Sequence, residues 1–433
     1  MKPIATMLSV VAVLFAALTL TAPLAAQVSP QKTHQTHYIV IDLGTLGGSF
    51  ALAGGLNDWG SVTGFSYLTD DAAVHGFFWR NGVMTEILTL GGPDSEVDFP
   101  SNDWNQVVGH SDTSTPDPLG EDYCGFGTGL TCVPFLWQKG VMTPLSLLGG
   151  NNGAAYEINN WGVIVGEAEN STQDPECTPP QLLQPQPVWW YNGKVHQLPI
   201  LSEDTAGAAV VINDLGQIAG VSGTCPDPFV HAVFWQNGRA IDMGNLGGTT
   251  GNYTADINNR GQVVGESDVS QDVTAHGFVW DKHSGMKDLG TMPGDYSSSG
   301  DGINNLGQIV GGSCDADGNC RAVLWQNGAI TDLNTLIPPD SNLYLLEATG
   351  TINDLGEIAG EAYDISSGEI HPFLLIPCGW GHTPGCQNSQ AAGMTNGVTH
   401  ESRKVVRPEK IRQQMLHSRG RKSLYPSLRS QLP

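Results

Sequence analysis

Positive charge is scarce in this sequence, and nearly half of it lies at one end. Only 19 of the 433 residues are Lys or Arg, against 43 Asp and Glu. Nine of the 19 follow residue 400, where Glu401 and Glu409 are the only acids, so this tail carries +7 and the remainder −31. A body this acidic cannot neutralise phosphates, which excludes nucleic-acid binding through it and leaves that chemistry to the tail.

Apolar runs long enough to cross a bilayer are missing after residue 26. Before that point, Lys2 precedes an apolar stretch at 4–26 that ends in small residues, a pattern typical of a secretory signal cleaved after Ala26. An uncleaved anchor is the weaker alternative because the fully apolar stretch is short and ends at Pro23. We therefore expect a signal peptide at 1–26, a short linker at 27–37, and a bacterial protein that is periplasmic, cell-surface or extracellular.

Cysteine pairs with the two-residue spacing of zinc sites are also absent. The chain has eight cysteines, an even number that fits disulfides in an exported protein. Sequence alone leaves many connectivities open, and positions along the chain and in the repeats favour four pairs. The pairs are Cys124 with Cys132, Cys177 with Cys225, Cys314 with Cys320, and Cys378 with Cys386.

Repetition is what the sequence has in abundance. The segment "INDLGQIAG" at 212–220 returns as "INNLGQIVG" at 303–311, and the pattern of Asn, turn and short apolar strand ending in Gly occurs seven times. The copies begin at Asn57, Asn102, Asn159, Asn213, Asn258, Asn304 and Asn353. Their intervals of 45 to 57 residues indicate a propeller or a solenoid. We interpret the Asn residues as structural turn residues, with ligand binding as the weaker alternative.

Two other elements alternate with the Asn pattern. One is an apolar strand such as "HGFFW" or "HAVFW", and the other is similar to "DLGTLGG". The apolar strand ends in an aromatic residue in six copies and in Leu375 in the seventh: Trp79, Trp137, Trp190, Trp235, Trp280 and Trp325. Large side chains repeated at one position predict core packing between neighbouring sheets in preference to a sugar-stacking platform.

Each unit divides into four short strands separated by Gly and Asn turns. The first "DLG" strand, near 38–43, precedes every Asn copy, whereas the last unit lacks its own. In a closed ring the N-terminal strand would complete the last blade and remove exposed edges, which an open solenoid does not require. The predicted fold is all-β: a seven-bladed β-propeller of four-stranded antiparallel blades over 38–376, closed by the N-terminal strand.

The fixed order of "HGFFW", "DLGTLGG" and "INDLGQIAG" resembles the HAF family of bacterial extracellular repeat proteins. The resemblance covers all seven units. The His of the family's triplet stands at His75, His231, His276 and His371, whereas Pro134, Val188 and Ala322 are at or near its place in the other units. The resemblance implies export and a repeat architecture, and it implies no established reaction.

No arrangement of nucleophile, base and oxyanion hole is recognisable in the sequence. The acids Asp42, Asp242, Asp288 and Asp332 repeat at one strand position, which favours a structural role because an active site is unique. Insertions at 111–132 and 167–187 lengthen loops on one predicted face, where a rigid scaffold would present a binding site. The candidate ligand-binding acids there are Glu121, Asp122, Glu167, Glu169, Glu266 and Asp268.

The segment "DADGN" resembles part of a calcium loop, with Asp315, Asp317 and Asn319 as oxygen donors. It lacks the third Asp and the distant Glu of such loops, so a polar turn closed by its disulfide is the favoured interpretation. No other cofactor is expected.

Residues 377–400 form a predicted Cys-containing linker, and 401–433 a basic, largely disordered tail with helix formers at 408–418. This tail is expected to be solvated or to contact an anionic surface. The leading hypothesis is a monomeric, exported, non-catalytic binding or scaffold module that takes a polysaccharide or a surface protein through its long-loop face. The alternatives are a carbohydrate-active glycosidase or lyase that uses loop carboxylates, and a structural surface protein.

Overall fold

The computed structural model describes residues 36–379, apart from 178, 180 and 226, together with Cys386. The predicted signal peptide and the predicted basic tail lie outside these residues. The described chain is built of β-strands and turns, with short 3-10 helices at Thr69–Asp71, Ser270–Asp272 and Leu333–Thr335. The fold is all-β, as the sequence predicts. Among the described residues, no helix is long and apolar enough to cross a membrane.

The strands follow one another in a regular order along the chain. They are β1 (Tyr38–Asp42), β2 (Gly47–Leu56), β3 (Val62–Leu68), β4 (Val74–Arg80), β5 (Val83–Ile87), β6 (Gly91–Glu96), β7 (Val107–Pro116), β8 (Leu130–Gln138), β9 (Val141–Pro144), β10 (Gly153–Ile158), β11 (Ile164–Gln173), β12 (Leu183–Tyr191), β13 (Lys194–Gln197) and β14 (Ala206–Ile212). The second half comprises β15 (Ile218–Thr224), β16 (Asp227–Gln236), β17 (Arg239–Asp242), β18 (Gly247–Ile257), β19 (Val263–Val269), β20 (Ala275–Asp281), β21 (Gly285–Asp288), β22 (Ser297–Ile303), β23 (Ile309–Cys314), β24 (Cys320–Gln326), β25 (Ala329–Asp332), β26 (Leu343–Glu347), β27 (Ile358–Asp364) and β28 (Glu369–Pro377).

Five of the sheets are four-stranded, with the strands in sequence order: β6–β9, β10–β13, β14–β17, β18–β21 and β22–β25. The remaining eight strands form one sheet made of two antiparallel runs. Strands β2 to β5 make the first run; β26, β27, β28 and β1 make the second. A single parallel bridge between Phe50 and Ile370 links them. Strand β1 therefore supplies the fourth strand beside β28, with Tyr38 opposite Pro377 and Asp42 opposite Phe373.

The Gly that ends each repeated "IAG" or "VVG" segment has a steric reason. In six of the seven units the first strand carries a bulge beside this Gly, as between Ala209 and Val211. A Cβ on the facing Gly220 would lie 2.1 Å from the Ala208 carbonyl oxygen. The same contact, at 1.9 to 2.2 Å, recurs at Gly64, Gly109, Gly166, Gly265, Gly311 and Gly360. Only Gly fits there.

The repeated Trp residues lie between neighbouring sheets. All six are at most 8% exposed, and Leu375 at the seventh position is fully buried. Trp137 packs against Phe78 of the preceding sheet, with ring centroids 5.8 Å apart, and Trp280 packs against Phe234 at 5.0 Å. Trp79 lies in one cluster with Leu374 of β28, so the first unit contacts the last in the same way.

In three of its four copies, the His of the HAF-like triplet pairs with an acid on the adjacent strand. The pairs are His75–Glu86, His276–Asp288 and His371–Asp42, with nitrogen–oxygen distances of 2.6 to 3.0 Å. The fourth copy, His231, pairs at 3.2 Å with Asp204 in the loop before β14. Strand register corrects the sequence alignment at the other positions, where Val133, Gln186 and Arg321 occupy the His place. Arg321 forms an ion pair with Asp295 at 3.0 Å, which retains a cation–acid pair in that unit.

The eight cysteines form four disulfides, in the pairs expected from the sequence: Cys124–Cys132, Cys177–Cys225, Cys314–Cys320 and Cys378–Cys386. The Cys177–Cys225 bond follows β11 and β15 and thus joins two different sheets. Four disulfides indicate an oxidising environment outside the cytoplasm.

Candidate functional site

Antiparallel strand order divides the connections of every unit between two ends. The Asn turns between first and second strands, and the tight turns between third and fourth strands, lie at one end, which we name the tight-turn face. Connections from the second to the third strand, and from the fourth strand to the next unit, lie at the other, the long-loop face. The insertions at 111–132 and 167–187 belong to the long-loop face.

The seven turn Asn residues form a closed circle of hydrogen bonds on the tight-turn face. Each side-chain oxygen accepts two backbone N–H groups of its own turn; Asn159, for example, accepts from Trp161 and Val163. Each Nδ2 donates to the carbonyl oxygen of the next Asn in the series at 2.9 to 3.2 Å, and Asn353 donates to Asn57. Nearly all the hydrogen-bonding capacity of these side chains is used by the scaffold, which agrees with a structural turn role.

The residues that follow these Asn form a second, more exposed ring. They are Asp58, Asp103, Asn160, Asp214, Asn259, Asn305 and Asp354. At six positions the side chain accepts a hydrogen bond from the backbone N–H of the equivalent residue in a neighbouring turn, at 2.8 to 3.1 Å. The ring surrounds a depression of about 150 Å³ in which turns from all seven units meet. Four carboxylates and three amides are thus held in fixed positions around one opening.

Electrostatics show that the carboxylates of this ring influence one another. Burial raises the pKa of Asp58, and repulsion from Asp354 and Asp214 adds to the rise. Burial also raises the pKa of Asp103, with a further contribution from Asp58. Beneath the ring, burial raises the pKa of Asp256 to about 6, although two backbone N–H groups bind its carboxylate. An opening lined in this way favours ligands that donate hydrogen bonds over anions.

Three exposed tryptophans lie beside this ring on three consecutive turns. Trp59, Trp104 and Trp161 are 65%, 67% and 73% exposed. The Trp104 indole N–H donates to the Asn160 carbonyl at 3.1 Å, and that of Trp161 to the Asp214 carbonyl at 3.0 Å, so both rings are held over the next turn. The other units have Leu215, Arg260, Leu306 and Leu355 at this position. Exposed aromatic groups of this size are costly in water and mark interaction surfaces.

These tryptophans were not predicted as a site from the sequence, where the Trp that recurs in six of the seven units is the stronger signal. The signal was nevertheless present in the turns "NDWG", "NDWN" and "NNWG". Polar and small residues dominate tight hairpin turns, so a Trp in three of seven equivalent turns requires a reason other than turn geometry.

The acids predicted to bind ligand on the long-loop face are buried or half-buried. Glu121 and Glu169 are fully buried and lie in contact with each other. Glu121 Oε1 accepts from the N–H groups of Leu182 and Leu183 at 2.6 and 2.8 Å, so the first insertion holds the second. Glu169 accepts from Asn152 and Gln181. Burial, followed by the proximity of Glu121, raises the pKa of Glu169 to about 8.

The other predicted acids of this face also contact the protein. Glu167 is 1% exposed, and Glu266 is half-buried on β19. Both oxygens of Asp122 accept from the Gly127 N–H at 3.0 Å, and Asp268 accepts from the Thr250 hydroxyl at 2.6 Å. The structure brings Glu121 and Glu169 together, places Glu167, Glu266 and Asp268 on strands, and leaves Asp122 in a loop.

The calcium-like segment forms an Asx-type turn. Asp315 Oδ1 accepts from the backbone N–H groups of Asp317 and Asn319 at 3.0 and 2.9 Å, and the Asn319 amide also donates to it. This is the hydrogen-bond pattern of the seven Asn turns, so the segment forms a polar turn of the same kind.

Comparison with known proteins places the chain near β-propellers only at low similarity. No protein-family model matches the sequence, and no curated protein matches it. The solved structures similar to it include the β-propeller domain of the Trilobed protease from Pyrococcus furiosus, with 11% identity, a TM-score of 0.41, and coverage of 63% of this chain and 80% of that chain. TolB from Acinetobacter baumannii has 12% identity and a TM-score of 0.35, with 74% and 80% covered. A mutant Aleuria aurantia lectin in complex with Fucα1-6GlcNAc has 8% identity and a TM-score of 0.32, with 58% and 77% covered. At these values no residue role in this chain follows from them.

Proposed function

We propose that the chain is a seven-bladed β-propeller of the HAF repeat type, closed by β1 in the last blade. Three independent contacts support closure: the pairing of β1 with β28, the packing of Trp79 with Leu374, and the hydrogen bond from Asn353 to Asn57. The four-stranded units and the repeated Gly and Asn positions support a count of seven. This architecture provides a rigid platform on which side chains from several units converge.

On this platform, the proposed function is non-catalytic binding of a polysaccharide by an exported protein, and the proposed site is the tight-turn face. The observation that carries the proposal is the row of exposed Trp59, Trp104 and Trp161 beside the ring of Asp and Asn side chains. Sugar rings present C–H groups on their faces and hydroxyl groups on their edges. Indole rings pack against the first, while carboxylate and amide groups bind the second. Both features lie here within neighbouring turns.

Preorganisation also favours this face. The hydrogen bonds of the Trp104 and Trp161 indoles, together with the backbone bonds to the polar ring, fix the side chains before a ligand arrives. A ligand then binds without a large loss of side-chain entropy. The acidic ring disfavours polyanions, so neutral polysaccharides are the expected class.

The long-loop face remains the basis of the carbohydrate-active alternative. Of the acids predicted to bind ligand there, Glu121 and Glu169 are the pair that lie close together, and catalysis would require their carboxyl groups to reach a substrate. Both are fully buried and bind loop backbone or side-chain amides. This arrangement favours a structural role for the pair and thereby supports binding over hydrolysis.

The test is affinity electrophoresis of the full chain in gels containing cellulose derivatives, β-glucan, xylan or alginate, with reducing ends measured in parallel. We expect retardation in at least one neutral polymer, no increase in reducing ends, and at least a tenfold weaker affinity for Trp104→Ala and Trp161→Ala. The control is Tyr296→Ala, which removes a 49%-exposed aromatic side chain from the long-loop face. Equal loss in this control, or unchanged binding in both Trp variants, would contradict the proposed face. An increase in reducing ends would favour the carbohydrate-active enzyme. Absence of binding to every polymer would favour a protein partner.

A further inference from the structure

A cluster of ionisable groups lies inside the second unit, beneath the first insertion of the long-loop face. Glu96, the last residue of β6, pairs across the sheet with His110 of β7, and Asp98 follows two residues later. The side chains of Glu96 and His110 are fully buried, and that of Asp98 is 10% exposed. Phe126 from the first insertion stacks on the imidazole, with ring centroids 5.8 Å apart. The cluster is thus enclosed by protein.

The imidazole of His110 is unusual in its hydrogen bonding. Both ring nitrogens are buried, and neither makes a hydrogen bond within the described residues. A carboxylate oxygen nevertheless faces each nitrogen at 3.6 Å: Glu96 Oε2 faces Nε2, and Asp98 Oδ2 faces Nδ1. Hydrogen bonds of this type have nitrogen–oxygen distances of about 2.7–3.2 Å, so these contacts are too long.

The spacing instead matches ligands that share a metal ion. One ligand atom each from Glu96, Asp98 and His110 lie within 4.8 Å of one another. Two donors bound about 2.1 Å from a tetrahedral ion are separated by about 3.4 Å, close to the observed 3.6 Å between Glu96 Oε2 and His110 Nε2.

Charge balance leads to the same conclusion. Two carboxyl groups face a single imidazole in a place where burial of unbalanced charge is costly. A divalent cation neutralises both carboxylates and leaves the imidazole neutral, the form in which it binds metals.

We propose that Glu96, Asp98 and His110 form a binding site for a divalent transition-metal ion, of which Zn²⁺ is the expected example. The imidazole ligand disfavours Ca²⁺ and Mg²⁺, which select oxygen donors, and the absence of a thiolate is compatible with Zn²⁺ held by nitrogen and oxygen. The ion would tie β6 to β7 beside the loop that carries Phe126, which indicates a structural role. This site is independent of the polysaccharide-binding proposal.

The test uses the full chain, stripped with EDTA, exchanged into metal-free buffer and titrated with ZnCl₂ by calorimetry, with the metal content measured by mass spectrometry after gel filtration. We expect one tightly bound Zn²⁺ per chain and a rise in melting temperature. His110→Gln should weaken this binding at least tenfold and abolish the shift in melting temperature, whereas His75→Gln, which alters a His–acid pair near the surface, should leave both unchanged. If His110→Gln retains as much Zn²⁺ as the wild type, or if the wild type retains none, the proposed site is wrong.

A second measurement covers the case in which His110→Gln does not fold. X-ray absorption of the Zn²⁺-loaded wild type should show one imidazole together with oxygen ligands. Two or more imidazoles, or any sulfur ligand, would place the ion elsewhere and overturn the assignment. If the wild type binds no ion and loses stability as the imidazole is deprotonated, the cluster is a buried ion pair and the proposal is wrong.

Discussion

Asn353 and Asn57 are 296 residues apart in the sequence and joined by a hydrogen bond: the Asn353 side-chain amide donates to the Asn57 carbonyl at 3.2 Å. The same hydrogen bond links each of the six remaining consecutive pairs of turn Asn residues. In an open array, the last copy would have no partner of this kind. The contact therefore makes the last unit equivalent to those in the middle.

This equivalence predicts that loss of the Asn side chain lowers the free energy of unfolding by the same amount at two distant positions. Replacement of Asn353 by Ala removes the bond to Asn57 and the two bonds that its oxygen accepts from the Leu355 and Glu357 N–H groups. Loss of buried hydrogen bonds of this kind should lower the free energy of unfolding by about 2–3 kcal/mol. Asn159→Ala should cost the same in urea unfolding. Asn245→Ala is the control, since the exposed Asn245 accepts one local N–H and should cost under about 1 kcal/mol. A much smaller cost at Asn353 than at Asn159 would indicate an open array.

The bulged first strand predicts a sharp difference between two glycines. Gly220→Ala places a methyl group 2.1 Å from the Ala208 carbonyl oxygen, and the surrounding strands are fully packed. We expect a loss of at least about 3 kcal/mol or a failure to fold, measured as the yield of soluble protein and the melting temperature. Gly238→Ala is the matched control, because nothing lies within 4 Å of its Cβ and only the positive φ of 71° is strained. It should cost about 1 kcal/mol. Similar effects of both changes would contradict the steric argument.

The sequence predicted the strands and their order because the chain repeats local rules. The close-packed Gly and the turn Asn occur in all seven units, and the Trp between sheets in six, so each depends on contacts that the units reproduce. Features that occur in only some of the units could not be predicted from the repeated pattern. Trp104 occupies the position of Leu215 in another unit, and such a difference between copies lies outside the repeated pattern even though the Trp residues are visible in the turns. Likewise, the partner of Glu121 lies 48 residues away in the next unit, so its burial depends on how two insertions fold against each other.

The disulfide between sheets should stabilise the protein more than the local ones. Cys177–Cys225 closes a loop of 48 residues, whereas Cys124–Cys132 closes one of eight. In the chain-entropy account, the longer loop should contribute about 4 kcal/mol and the shorter about 2.5 kcal/mol to the free energy of unfolding. Paired Cys→Ser variants at each bond, compared by guanidinium unfolding under non-reducing conditions, test this order. A larger loss from removal of the local bond would show that native-state contacts, and not loop closure, determine the effect.

The contact of Glu121 with Glu169 makes the junction of the two insertions sensitive to pH. Burial raises the folded-state pKa of both, that of Glu169 to about 8, from an ordinary value near 4.5. The folded protein therefore holds a proton that the unfolded chain releases above that ordinary value. The stabilisation is fully present below about pH 4.5 and is lost as the pH rises through about 8. We expect the free energy of unfolding of this region to fall by a few kcal/mol over this range, on the order that linkage gives for a shift of this size.

Hydrogen exchange of the Leu182 and Leu183 amides, both bound to Glu121 Oε1, reports this change directly. After correction for intrinsic exchange rates, their protection should decrease between pH 5 and pH 8. In Glu121→Gln, the side-chain oxygen keeps both amides bound while the new N–H group donates to Glu169 without a titrating proton. This variant should lose the pH dependence and exceed the wild type in protection at pH 8. Glu176→Gln, an exposed change in the same loop, should behave as the wild type. If protection in the wild type does not change with pH, the pair of carboxyl groups loses no proton between pH 5 and pH 8, and the prediction is wrong.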